Sequence, residues 1–124
     1  GNMAAAKISD AEMEIMEILW KQGGKLTSAQ IKALLPSQNS WKATTLLTLC
    51  RRLEEKGIVG VEKEGRMKYF YPLITQEEYQ AGMADQLLHV MYGGSVKSFM
   101  ASLYQTEKLS KEDIEELKQW LKEV

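Results

Sequence analysis

The 124-residue chain has room for one compact domain, or for one small domain plus an appendage that borrows its core from a partner, and too little for a multi-domain enzyme. With 44% hydrophobic and 27% charged residues it has an ordinary globular composition, and no apolar run approaches the roughly 18 residues that span a bilayer. A formal net charge of -1 argues against a general polyanion binder, but the charge is divided along the chain.

Residues 1–74 hold eleven Lys/Arg against eight Asp/Glu, whereas 75–124 hold five against nine. Within Lys25 to Lys68 nine basic residues face four acidic ones, a local signal for a polyanion site. The N-terminus lacks a basic region followed by an apolar block, so no leader or membrane insertion is expected. The single cysteine, Cys50, excludes an intramolecular disulfide framework and any Cys-based zinc cluster, and the expected compartment is the reducing cytoplasm.

Four segments open with a capping residue followed three positions later by a side chain that bonds back to it: "SDAE" at Ser9, "TSAQ" at Thr27, "TQEE" at Thr75 and "SKED" at Ser110. Each is flanked by an apolar staple, Ile8 with Met13, Leu26 with Ile31, Ile74 with Tyr79 and Leu109 with Ile114. The first helix is expected from about Asp10 to Lys21, with Met13, Met16 and Trp20 on one side, ending at Gly23-Gly24. The second runs from about Ser28 to Leu35 and is cut by Pro36. A third follows the polar loop "SQNS", with Ser40 as its expected cap and Gly57 as its left-handed ending.

Next comes "IVGVEKEGRMKYFYPL", where Val59 and Val61, then Met67, Tyr69 and Tyr71, show the period of two of a hairpin turning at Gly65. Three short helices and a two-stranded wing predict a mainly α winged helix-turn-helix domain over residues 7–74 with a small β-hairpin. From Thr75 to Val124 the pattern is purely helical. A long helix ends near Tyr92, a second carries Val96, Phe99, Met100 and Leu103, and the last carries Ile114, Leu117, Leu121 and Val124 at coiled-coil spacing. Fifty residues in three helices make a poor independent core, so residues 75–124 are expected to pair with a second copy through Leu88, Met91, Phe99, Met100, Leu103, Ile114, Leu117 and Leu121.

The third helix, "WKATTLLTLCRRLEEKGIV", gathers Ala43, Leu46, Leu49, Cys50 and Leu53 on an inward side. Thr44, Thr48, Arg51 and Glu55 centre on the outward side, flanked by Trp41 and Arg52. In a major groove, threonines reach phosphates, base edges or thymine methyls, and arginines reach guanine edges or phosphates. The expected DNA-binding set is Lys42, Thr44, Thr45, Thr48, Arg51 and Arg52 from this helix, with Arg66 and Lys68 from the wing.

The stretches "ISDAEMEIMEILW", "WKATTLLTLCRRLEEKGIV", "YFYPLIT", "MYGGSVKSF" and "EDIEELKQWL", in this order and spacing, resemble the penicillinase-repressor and methicillin-resistance-regulator family of bacterial winged-helix repressors. The resemblance implies a homodimer that represses transcription at a palindromic double-stranded DNA operator, with interlocked tails and a part in antibiotic resistance. It also implies release by a membrane sensor-protease system that responds to β-lactam, with the cut at Ser102-Leu103, where relatives typically carry Asn and Phe. The family's best-known members place a lysine at Thr44 and an arginine at Leu47, although many relatives share the paired threonines, and Thr45 and Thr48 match. The paired Cys-x-Cys motifs of a copper-responsive branch are absent, which excludes copper sensing by that route.

Cys50 borders the apolar stripe as a core residue, and the lone His89 assembles no metal site. No phosphate loop, catalytic triad or zinc-protease motif occurs, so neither an enzyme nor a cofactor is expected. Met83, Met91 and Met100 read as dimer-core residues rather than a ligand pocket. Two other readings stay open: a winged helix that binds a protein partner, and a repressor governed by a small effector between the tails instead of by proteolysis.

Overall fold

All four capping boxes form. Ser9 Oγ accepts from the Glu12 amide and opens helix α1 (Asp10–Gln22), while Thr27 does the same for Gln30 and α2 (Ser28–Leu34). Thr75 and Glu78 exchange two 3.0 Å bonds at the start of α4 (Gln76–Tyr92), and Ser110 pairs with Asp113 before α6 (Lys111–Glu123). Helix α5 (Val96–Gln105) has Ser95 as its cap, a start that carries no capping-box signature. The computed structural model describes residues 7–124, so the N-terminal stretch read as lacking a leader lies outside the described residues. Among the described residues no helix is long and apolar enough to cross a membrane.

The third helix, α3 (Ala43–Glu55), starts later than the Ser40 cap would have it. Lys42 holds the cap position with extended backbone and no side-chain bond. Asn39 competes successfully for the loop: its amide reaches Pro36 O and its Oδ1 accepts the Trp41 amide at 2.9 Å, which keeps Trp41 and Lys42 out of the helix. At the other end Gly57 takes a positive φ of 76° and the Ile58 amide returns to Leu53 O, the expected left-handed stop.

The wing is three-stranded rather than a lone hairpin. Strands β2 (Val59–Glu64) and β3 (Met67–Pro72) pair antiparallel around Gly65, and the two-residue β1 (Leu26–Thr27) joins the free edge of β3, with Leu26 opposite Phe70 and Thr27 opposite Tyr69. The alternation in β3 is real, but Tyr69 and Tyr71 mark its outer side; Phe70, opposite Val61, is the buried residue.

The core of this part consists of Ile15, Met16 and Leu19 from α1, Ile31 from α2, Leu46, Leu49, Cys50 and Leu53 from α3, and Val59 and Phe70 from the sheet. Met13 and Trp20, expected on the buried side of α1 with Met16, are only half-buried against it. Ala43, placed on the inward stripe by periodicity, is exposed because the first turn of α3 overhangs the core. The start of α4 also belongs here. The buried Tyr79 hydroxyl accepts the Ile8 amide at 2.8 Å, and Trp20 Nε1 donates to Ile74 O at 2.9 Å.

The chain divides into two compact units, one ending at Met83 and the other running from Ala84 to Val124. In the second unit, Tyr92 and Phe99 meet edge to face at 5.3 Å, and Gly93 and Gly94, both at positive φ, turn the chain from α4 into α5. An open groove of about 440 Å³ lies between α5 and α6, lined by Met100, Leu103, Leu109, Leu117 and Trp120. No residue from Ala84 to Val124 is fully buried.

Candidate nucleic-acid interface

The α3 sequence sorts itself into two faces at helical spacing. Leu46, Leu49, Cys50 and Leu53 are buried, and Lys42, Thr44, Thr45, Thr48, Arg51 and Arg52 are all exposed. Thr44, Thr45, Thr48, Arg51 and Arg52 thus share the solvent side of α3, and the exposed Lys42 stands before its first turn at the cap position. Thr48 Oγ1 donates to Thr44 O at 2.9 Å, which fixes the rotamer of one of them. Burial pushes the Cys50 thiol up to about 11, despite a lowering influence from Lys68, so it is a packing residue with no thiolate at neutral pH.

The C-terminal end of α3 is tied to α1 by a pair that sequence reading missed. Lys56 Nζ reaches Glu12 Oε1 at 2.5 Å and Lys7 O at 2.8 Å. Glu12 is 1% exposed, and its carboxylate also accepts the Ser9 amide. Burial pushes the carboxyl up, but the Lys56 ammonium and Ser9 pull harder and hold it below its ordinary value. This clamp sets where α3 lies on the core.

The wing has two chemically different sides. Lys63 and Lys68 are cross-strand partners in the alternation of Val59, Val61 and Phe70, and Lys68 Nζ lies 5.9 Å from the Phe70 ring. That is the side facing the helices, and Lys68 is close enough to α3 to act on the Cys50 thiol. Like charges directly opposite each other are mildly unfavourable in the free protein and are relieved by an anion. Arg66 is exposed in the turn beside Gly65. The other side carries Glu62 and Glu64, and Lys25 is bound to both, at 2.6 Å in the second case, while lying over the Tyr69 ring. Those carboxylates raise the Lys25 ammonium above its ordinary range. Lys25, counted in the basic stretch, is thus neutralised within the fold, and the basic surface narrows to α3 and the inner wing.

Of the residues proposed for pairing, Leu88, Phe99, Met100, Leu103, Ile114 and Leu117 are half-buried within their own chain, and Met91 and Leu121 are exposed. Val96 and Val124, on the stripes read from spacing, are exposed, and so are Val90, Tyr104 and Trp120, which periodicity did not single out. Ser102 and Leu103 are half-buried inside α5, not in a loop. His89 is exposed, and no group of three potential metal ligands occurs among the described residues.

Three helices, a three-stranded wing and an outward polar face on the third helix define a winged-helix protein. Residues 8–123 match the penicillinase repressor family. The chain is 34% identical over 94% of its length to the penicillinase repressor of Bacillus licheniformis, covering 91% of that protein. It is 30% identical over 90% of its length to the methicillin resistance regulatory protein MecI of Staphylococcus aureus (strain N315), again covering 90% of the relative. Two solved structures are similar. One is the DNA-binding domain of the repressor BlaI, at 32% identity and TM-score 0.52 over 60% of this chain and 89% of that one. The other is monomeric Bacillus licheniformis BlaI in complex with the blaP half-operator, at 33% identity and TM-score 0.50 over 59% and 88%. The chain belongs to the penicillinase repressor family, a family of transcriptional repressors and not of enzymes.

Proposed function

We propose that the protein is a dimeric, sequence-specific repressor that binds a palindromic double-stranded DNA operator. Residues 7–74 with the first turns of α4 read DNA, and the remainder of the chain assembles the dimer. The observation that carries this reading is the exposed threonine and arginine side of α3 together with Lys63 and Lys68 on the helix-facing side of the wing, while Lys25 is paired on the opposite side. A relative of this fold binds a half-operator as a monomer, which supports the same use of α3 here.

In this arrangement α3 enters the major groove, and Thr44, Thr45, Thr48 and Arg51 approach base edges. Lys42 and Arg52 approach phosphates, and Arg66 and Lys68 follow the backbone from the wing. The first-turn amides of α3 have no side-chain cap, which leaves them open to a phosphate oxygen. Two such helices on a two-fold axis sit about 34 Å apart, or at a multiple of it.

Arg51→Ala is expected to weaken operator binding by about 1–3 kcal/mol, the range for a bidentate contact to guanine or phosphate. Selection of bound genomic fragments followed by gel shift on the enriched duplex measures it. A short palindrome must be enriched, and an unchanged affinity removes Arg51 from the interface. A winged helix that bound only a protein partner would enrich none.

Dimer assembly is supported by the second unit's lack of any fully buried residue together with its exposed Trp120, Leu121 and Val124. Relief by a sensor protease would require the Ser102-Leu103 bond to leave α5, because a helical peptide does not lie extended in a protease cleft. Incubation with the cognate protease and mass spectrometry is expected to give a cut there. An intact chain that still leaves DNA on induction would favour effector control.

A further inference from the structure

One group of side chains on the recognition face is unsuited to hydrogen bonding. Leu47 is 39% exposed, on the edge of a face that carries Thr44, Thr48, Arg51 and Glu55, and Ala43, one turn before it, is exposed as well. Neither takes part in the core. Beside them the Thr48 hydroxyl donates to Thr44 O at 2.9 Å, so its proton is already engaged and its methyl group is the part left to present outward. The N-terminal half of α3 thus offers a small surface of methyl groups, bordered by Arg51 on its own helix and by cations on the wing side.

On the reading of α3 as the DNA-recognition helix, we infer that Leu47, Ala43 and the Thr48 methyl form a specificity element that reads the 5-methyl groups of thymine in each half-site. Thymine is the one base that offers an apolar group at the floor of the major groove, and Ala and Thr methyls are recurrent partners for it. Charge complementarity commits this surface to a nucleic acid and not to an apolar peptide. Arg52 and the wing's Lys68 approach phosphates, and an apolar strip next to Arg51 and between phosphate-binding cations meets base edges.

The test uses the full chain and a duplex selected from a randomised library by that chain. Each thymine of the selected half-site is replaced in both copies by deoxyuridine, which removes the methyl and keeps every hydrogen-bonding group. At one or two positions the wild type is expected to lose about fourfold in affinity per methyl, or roughly fifteenfold for the symmetric pair. Leu47→Ala should bind the thymine duplex more weakly and show a smaller uridine penalty at the same position. Thr48→Ser, which keeps the hydroxyl and removes the methyl, should likewise bind the thymine duplex more weakly and show a smaller uridine penalty.

Affinities within twofold for every uridine duplex overturn the inference while leaving DNA binding intact. The same uridine penalty in Leu47→Ala overturns the role of Leu47. Failure to select any duplex overturns the DNA-binding reading and this inference with it. Because Leu47 and Thr48 are exposed, helical circular dichroism of the variants should match the wild type.

Discussion

A chain carrying Trp120→Ala with Leu121→Glu is expected to sediment as a monomer, the wild type as the proposed dimer, and to bind the full operator about 10²- to 10⁴-fold more weakly. Both residues stand on α6, at 57% and 61% exposure, so neither is needed to fold its own chain. Covering a large apolar side chain contributes about 1.5–3 kcal/mol, and a two-fold interface uses each residue twice. Trimming one such residue and placing a carboxylate in the same seam removes that contribution and adds the desolvation of a charge.

The effect on DNA follows without any change in the recognition surface. In a dimer, the second half-site is met at the high local concentration set by the first, and a monomer loses this advantage. Affinity for an isolated half-site is therefore expected to stay as in the wild type. Analytical ultracentrifugation and gel shifts on full and half operators separate the two effects. A variant that remains dimeric would move the seam away from α6 and toward the exposed Val90 and Met91 of α4.

The tail shows where sequence periodicity is informative and where it stops. Ile114, Leu117, Leu121 and Val124 form one stripe by spacing, yet the first two are half-buried against their own chain and the last two stand free. Spacing identifies an apolar face but not its occupant. Capping boxes were legible throughout because both partners lie within four residues and compete with nothing outside the turn. The exception, Ser40, failed for an equally local reason, namely that Asn39 organises the loop first.

What escaped the sequence is non-local. Strand β1 is two residues long and exists only because β3, more than forty positions later, offers it an edge. The sidedness of the wing depends on register: Lys63 and Lys68 fall on the helix side, and Glu62 and Glu64 on the side where Lys25 waits. Leu47 was visible as an apolar residue on a polar face, but its freedom from the core became a fact only once Leu46 and Cys50 were seen to be buried without it.

Lys56→Met is expected to lower stability by about 2 kcal/mol at pH 7, within the range for a hydrogen bond to a charged group and discounted because Lys56 is about one-third exposed. Loss of the ammonium leaves the buried Glu12 carboxylate with Ser9 as its remaining partner. Burial is then opposed by the Ser9 bonds alone, so the carboxyl of the variant lies higher than in the wild type, where it is held below its ordinary value.

The pH dependence follows from this rise. In the wild type the depressed carboxyl contributes stability that is fully present above the unfolded value of about 4.3 and is lost as pH falls through the folded value. In Lys56→Met the carboxyl takes up a proton more readily than in the wild type, so acidification costs the variant less than it costs the wild type. The stability difference should therefore be largest near neutrality and shrink as pH falls through about 4. Urea unfolding at fixed protein concentration across that range measures it. Glu12→Gln keeps a capping side chain at the start of α1 and removes the charge, so Lys56→Met added to it should cost little more. A pH-independent difference, or full additivity of the two changes, would show that Lys56 acts on α3 through its Lys7 carbonyl contact and not through Glu12.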